Sequence, residues 1–380
     1  MQHLPVLVDA TSIPPNRGGV ARYISGLLTG LQEAGSTVDV VVKGTDLAWL
    51  RALAPEHRYH QAPGWTARRP ARLVWEQTGL PALLRRVGAT TLHSPHYTFP
   101  VIRASRTVVT LHDATFFSDP AAHARTKVAF FRTWTRLARR FARATVAPSA
   151  ATVGELDRLA GTARRPTAVA HLGVDAAVFH APSSAEVTAF RHAHGLGDGD
   201  DWIAFLGTVE PRKRIPELIA AHRALGDADV PPLLVAGGLG WDDTAVRELR
   251  TAGDRPGAPL RYLGYLPLEE LRAFLGGARV VVYPSTAEGF GLPVLEAMAC
   301  RADVLTTRRL AIPEVGGDAV TYTEPDADPI RADLAALLAD DPDGPARTAR
   351  RDRAAARAAG FTWAACARVH LGLYAAGVAA

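Results

Sequence analysis

Cysteine is nearly absent from this chain: two of 380 residues, Cys300 and Cys366. Two thiols are too few for a structural zinc cluster or a disulfide scaffold, so a reducing, cytoplasmic setting is expected. Long apolar runs are missing too. No stretch approaches the roughly 18 uninterrupted apolar residues of a spanning helix. The opening run to Asp9 has no basic segment before it, so no signal peptide is expected. The expectation is a soluble protein, at most peripheral at the inner face of the cell membrane. Repeats of 20 to 50 residues and low-complexity tracts are absent, as are a Gly-x-Gly-x-x-Gly fingerprint and a Walker lysine. What remains is ordinary globular composition, 48% apolar and 21% charged with 33 Gly and 27 Pro, long enough for two domains.

The net charge of +5 is unevenly spread: residues 1–175 carry +11 and the rest −6. A basic half favours an anionic partner, although abundant Ala and Arg also suggest a compositional habit. Short β-branched runs alternate with helix-like segments, the pattern of doubly wound α/β layers. Strands are expected at 4–10, 38–42, 107–111, 202–207, 233–236, 260–263 and 280–283, with helices at 20–33 and 215–225. Residues 182–201, rich in Gly, Asp and Ser, read as a linker. Two such units in tandem put a cleft between them, with ligands beyond the carboxyl ends of strands. The domains are assigned as 1–175 and 176–360, with a final helix at 361–380 packing back on the first.

The segment from Val280 to Cys300 carries the strongest chemical signal. A buried strand runs into a loop containing Glu288, Gly289, Phe290 and Gly291, and a helix opens at Leu292 with Pro293 in its first turn. A helix start of this kind is an anion site, with Gly291 allowing close approach. Glu288 and Glu296 bracket it, and carboxylates beside phosphates make sense if they bind sugar hydroxyls. A nucleotide-sugar is the economical ligand; the plainer alternative is a solvated Glu296 and ordinary turn glycines. A second strand end, Gly207, leads through Thr208 to Arg212-Lys213-Arg214, three cations able to neutralise a diphosphate without a metal. Asp-x-Asp triplets at 198–200, 227–229, 326–328 and 341–343 lie in polar segments and are not expected to ligate magnesium. In the first half, Arg17-Gly18-Gly19 joins a strand to a helix, and its glycines permit backbone approach to a ligand. His112 follows the strand at 107–111, placed to donate to a sugar hydroxyl or a developing negative charge. Between 125 and 143, Arg125, Arg132, Arg136, Arg139, Arg140 and Arg143 share an arc of about 100° opposite Phe130, Phe131, Trp134, Leu137 and Phe141. That predicts an apolar face on the core and a basic face in water, open to an anionic membrane or an acceptor phosphate.

Together these residues resemble glycosyltransferase family 4, the retaining, metal-independent GT-B enzymes built from two Rossmann-like domains facing a central cleft. The likeness rests on Glu288-x7-Glu296, Glu210-Pro211-Arg212-Lys213, Gly18-Gly19, the segment 172–175 and Leu263-Gly264-Tyr265. Trp75-Glu76-Gln77-Thr78-Gly79-Leu80-Pro81 is similar to a segment of bacterial mannosyl- and rhamnosyl-type members. The resemblance implies that Arg212 and Lys213 hold the donor diphosphate, Glu288 the donor sugar and Glu296 the ribose. It also implies that His112 touches the transferred sugar and that backbone near Leu266 meets the base. Thr208 stands where several relatives carry Arg, a charge Arg212 could replace. The implied activity is retaining transfer of a hexose from a nucleoside-diphosphate sugar, with GDP-mannose the leading donor. Acceptors would be a glycan, a lipid-linked sugar or a small molecule; no metal, other cofactor or nucleic acid is implied. A catalytically silent nucleotide-sugar-binding subunit and a nucleotide-sugar epimerase are the alternatives.

Overall fold

A computed structural model describes residues 1–14, 18–161, 163–226 and 230–375. Arg17, the triplet at 227–229 and the last five residues of the expected terminal helix lie outside the described residues. The chain divides into two units, one of Met1–Gly173 with Phe361–Ala380 and one of Val174–Gly360.

Unit 1 is built on seven strands: β1 (Gln2–Asp9), β2 (Ser36–Val42), β3 (Arg58–Gln61), β4 (Thr91–Ser94), β5 (Thr107–Thr110), β6 (Ala144–Ala147) and β7 (Thr167–Val169). They pair in the order β3-β2-β1-β4-β5-β6-β7, all parallel. Unit 2 repeats the plan with β8 (Ile203–Leu206), β9 (Leu233–Ala236), β10 (Leu260–Gly264), β11 (Val280–Tyr283), β12 (Val304–Thr307) and β13 (Thr321–Thr323). Their order is β10-β9-β8-β11-β12-β13, again all parallel. Strands covered by helices on both faces have no solvent side, which is why IAFL, LLVA and VVVY read as unbroken apolar runs and are fully buried. The order reverses between β1 and β4 in one sheet and between β8 and β11 in the other. At such switch points adjacent strands send their following loops apart and leave a crevice.

The terminal helix Trp363–Ala375 belongs to unit 1 and crosses the helix Gly19–Glu33. A Cβ at Gly26 would stand 2.1 Å from the Trp363 indole and one at Gly30 2.2 Å from its carbonyl oxygen, so only glycine lets the two backbones meet.

Two expectations need correction. Residues 182–201 are not a plain linker: a helix, Ser184–Ala193, opens there with a reciprocal Ser183/Glu186 capping box, inside unit 2. The Ser183 and Glu186 spacing was legible, but a surrounding Gly/Asp composition masked it. The helix Arg125–Phe141 also lacks a single solvated basic face. Arg139 is 3% exposed and donates to the Gly161 carbonyl and to Asp157. Arg132 donates to the Phe116 carbonyl, and Arg143 reaches the carbonyls of Leu373 and Tyr374 on the terminal helix. Backbone carbonyls at the ends of neighbouring elements need donors, and arginine's forked head on a long apolar stem supplies them from inside. Phe131, Trp134 and Leu137 do pack on the core, whereas Phe141 is 45% exposed. Among the described residues no helix is long and apolar enough to cross a membrane.

Candidate active site

In unit 2 the chemistry gathers where β8 and β11 end, side by side. After β8 the chain turns at Gly207, passes Thr208 and enters a short 3-10 turn, Pro211–Lys213. Gly237, after β9, has φ of 127°, and a Cβ there would lie 2.2 Å from the Gly207 carbonyl oxygen. The two strand ends close on each other only because Gly237 carries no Cβ. Arg214 adopts a left-handed φ of 54° and starts the helix Ile215–Arg223.

From β11 the loop 284–291 brings Glu288 back onto that turn. Its Oε1 accepts from Lys213 Nζ at 2.6 Å, Ser285 Oγ at 2.7 Å and Tyr283 OH at 2.8 Å, with Arg212 Nη1 at 2.5 Å. Arg212 is further held by Glu210 at 2.7 Å and the Ala287 carbonyl. Lys213 is 5% exposed and lies over the Tyr283 ring, 4.4 Å from its centre. Burial alone would raise the Glu288 carboxyl, but Arg212 and then Lys213 outweigh it and hold the group down at about 2. Glu288 is therefore a fixed carboxylate. Burial, reinforced by Arg212, lowers the Lys213 ammonium from its ordinary value, so a second anion at Lys213 would relieve it.

Arg214 does not join this group. Its guanidinium turns to the Pro325 carbonyl, Asp326 and Glu217, leaving Arg212 and Lys213 as the cations of the turn. The loop ends at Gly291, where φ is 104° and a Cβ would press on Ile312 at 2.8 Å. Gly289 and the buried Phe290 precede it, and Leu292 opens the helix Leu292–Ala299. Glu296 is 2% exposed, not solvated, one turn into that helix. Leu266 stands two residues past β10, half buried, next to an exposed Tyr265. Among the described residues no three His, Cys, Asp or Glu side chains cluster in a way that could hold a metal ion.

In unit 1 the helix Gly19–Glu33 begins on Gly18 without a side-chain cap, and a Cβ on Gly19 would meet nothing within 4 Å. His112 lies just past β5. Its Nε2 is 2.7 Å from the Pro95 carbonyl, which can only accept, so Nε2 carries the proton. Burial lowers the ring's pKa more than Pro95 and Asp113 raise it. A neutral ring with Nε2–H engaged leaves Nδ1 as a lone pair. His112 is thus an acceptor, not the donor expected from sequence.

Behind it, Tyr23 meets His112 edge-on at 5.0 Å. Tyr23 is the middle of a directional chain of neutral groups. His370 Nδ1 donates to the Cys366 carbonyl, so its Nε2 accepts from Tyr23 OH; Tyr23 accepts from Thr110, Thr110 from His93 Nε2, and His93 Nδ1 from Tyr374 OH. Sequence reasoning missed these supports. Tyr283 and Ser285 stood within the motif already singled out, whereas Tyr23, His93 and His370 are joined only by tertiary structure.

Fold and site together define a GT-B glycosyltransferase. Residues 186–358 match the family model described as glycosyl transferases group 1, and residues 17–178 that of glycosyltransferase family 4. O-antigen chain mannosyltransferase B of Escherichia coli is 32% identical over 285 residues, covering 74% of this chain and 73% of that protein. Among solved structures, a sucrose-phosphate synthase from Thermosynechococcus elongatus matches with a TM-score of 0.76 over all of both chains at 19% identity. Anabaena HepE, in complex with UDP-glucose, matches at 0.75 over 99% of this chain and 100% of that one, at 17% identity. These two likenesses concern the fold alone. The chain belongs to glycosyltransferase family 4.

Proposed function

We propose that this glycosyltransferase moves a hexose from a nucleoside-diphosphate sugar, GDP-mannose as leading donor, with retention and without a metal. The acceptor would be a glycan, a lipid-linked sugar or a small molecule. The observation that carries the reading is the buried pairing of Arg212 and Lys213 with one carboxylate oxygen of Glu288. It fixes two cations at the strand ends beside an ionised carboxylate, with Glu210 as the second partner of Arg212. The mannosyltransferase identity of the Escherichia coli relative supports the sugar, and the nucleotide sugar on HepE supports the donor class.

Departure breaks the bond between the anomeric carbon and a phosphate oxygen, and the electron pair leaves with the nucleoside diphosphate. Lys213 and Arg212 oppose the charge that grows there, with the helix dipole at Leu292 adding to them. The acceptor hydroxyl attacks from the same face and passes its proton to the departing phosphate oxygen. Two-carboxylate hydrolysis would need a nucleophile and a proton donor across the ring. Glu288, ionised and saturated with donors on Oε1, serves as neither. His112 would take a hydrogen bond from a hydroxyl of the transferred sugar through Nδ1, Glu296 would bind the ribose, and the backbone at Gly18, Gly19, Gly207 and Leu266 would line the donor. Exposed Arg136, Arg140 and Arg164 with Phe141 are offered to an anionic membrane.

The test is transfer from a panel of GDP, UDP, ADP and TDP sugars, with the product anomer read by NMR before and after exhaustive chelation. Retained configuration and chelation-resistant turnover are expected. An inverted product, or activity that returns only with magnesium or manganese, overturns the reading.

A further inference from the structure

The segment Trp75-Glu76-Gln77 lies outside the charged turn at Arg212 and the ring at His112. It sits on the helix Arg69–Arg86, with Trp75 6% exposed and folded over Gly79, where a Cβ would come within 2.2 Å of the indole nitrogen. The next two side chains both reach the loop 95–101 that follows β4. Thr98 Oγ1 donates to Glu76 Oε2 at 2.6 Å, and Arg72 Nη1 donates to the same oxygen at 2.9 Å. Gln77 Nε2 donates to the Phe99 carbonyl at 2.9 Å and to Glu76 Oε1 at 3.1 Å, while Gln77 Oε1 accepts from the Val101 amide at 3.0 Å. Glu76 is wholly buried and Thr98 is 4% exposed.

The clamped loop is strained at its centre. Tyr97 is not a glycine and holds φ of 53°, a left-handed conformation that persists only where surroundings impose it. From the far side the loop touches the site. The Pro95 carbonyl accepts a hydrogen bond from His112 Nε2–H, and Tyr97 OH accepts from the Asp113 amide. One loop thus has Glu76 and Gln77 on one flank and His112 on the other.

We propose that Glu76 and Gln77 are positioning residues for sugar transfer: by clamping loop 95–101 they hold the Pro95 carbonyl against His112 and so fix the tautomer whose Nδ1 faces the sugar. The proposal rests on the role given to His112 above. A buried carboxylate held only for stability is a poor choice, since an apolar residue of similar volume serves at least as well. A carboxylate that receives three donors and passes geometry to a reactive ring has a reason to be there.

The experiment compares Gln77→Met, Glu76→Gln and Thr98→Val in the full chain. Ring-nitrogen NMR of His112 reports the tautomer, and kcat, donor KM and thermal melting are measured alongside. Expected for Gln77→Met is a folded enzyme with donor KM within about twofold, kcat down tenfold or more, and His112 nitrogens shifted toward a tautomer mixture. Should Glu76→Gln fail to fold, Gln77→Met leaves the buried ion pair intact and carries the test. Unchanged His112 nitrogens in a folded Gln77→Met enzyme overturn the proposal whatever the rate. A fully active His112→Ala enzyme overturns instead the role of His112, and the nitrogen shifts then still judge the clamp.

Discussion

Lys213 and Glu288 share one hydrogen bond, yet substituting them should produce opposite effects. Under the proposed function Lys213→Ala removes a cation that would oppose the diphosphate in substrate, transition state and product alike, so free nucleoside diphosphate should bind more weakly and transfer should slow. Glu288→Gln keeps the shape and removes the charge that partly neutralises Arg212 and Lys213. Nucleotide affinity should then hold or tighten while turnover falls by about 2 to 4 kcal/mol of transition-state stabilisation. Calorimetry of nucleotide binding alongside turnover separates the two, and near-normal turnover in Glu288→Gln would remove this carboxylate from the reaction. The motif around Glu288 was readable because an apolar strand, two glycines and a proline-started helix are local features. The partners of Glu288 were not: Lys213 lies 75 positions away, and only the parallel pairing of β8 with β11 makes them neighbours.

Elements show the same limit more sharply in the helix Arg125–Phe141. A helical wheel orders side chains around an axis but is silent on which carbonyls of other elements need a donor, so Arg139 looked like its exposed neighbours. Its burial gives a contrast to test. Arg139→Gln should destabilise the protein by roughly 1 to 3 kcal/mol in denaturant melts, because the packing of the buried guanidinium and its bonds to Gly161 and Asp157 are lost together. Arg136→Gln and Arg140→Gln should leave stability within about 0.5 kcal/mol, as exposed substitutions do. The same two exposed changes should weaken sedimentation with anionic liposomes if that surface meets a membrane. Seven strands, by contrast, were legible to within two residues at each end, since runs such as VVVY can only be buried, whereas the short β3, β4, β6, β7, β12 and β13 were not read. The terminal helix supplies a second element-scale prediction: Gly26→Ala forces a methyl into the Trp363 indole and should cost about 1 to 3 kcal/mol, read as a lowered melting temperature.

Across the whole molecule, acid should act through two sets of buried groups with opposite signs. Burial holds His370 down at about 4 and His96 at about 3, and lowers His93 and His112 as well. Each is neutral in the fold and binds its proton more readily when unfolded, so the stability it contributes is present above about 6.5 and is lost as pH falls toward the folded value. For His370 alone this is on the order of 3 kcal/mol. Glu76 runs the other way. Burial pushes its carboxyl up to about 7 against the pull of Arg72, with Asp9 of β1 adding to the rise. The folded protein therefore binds that proton more tightly than the unfolded chain, and the contribution favours the fold in acid and fades as pH rises through about 7. The clamp, however, accepts its three donors only as a carboxylate. Turnover should accordingly decline below pH 7 ahead of any loss of fold, and the Glu76→Gln enzyme should lack that limb. A pH–rate profile set beside melting curves from pH 5 to 8 checks both.

Unit 1 is made of two stretches, Met1–Gly173 and Phe361–Ala380, with all of unit 2 between them in the chain. On a ribosome adding about 5 to 20 residues per second, the first stretch emerges and then waits roughly 10 to 40 seconds for its closing helix. Throughout that interval Tyr23 lacks His370 and His93 lacks Tyr374, and the glycine face at Gly26 and Gly30 has nothing to receive. Unit 2, continuous from Val174 to Gly360, meets no such delay. The half of the enzyme synthesised second is thus the half able to finish first, and the nascent first half is the one that needs shielding until the helix Trp363–Ala375 emerges.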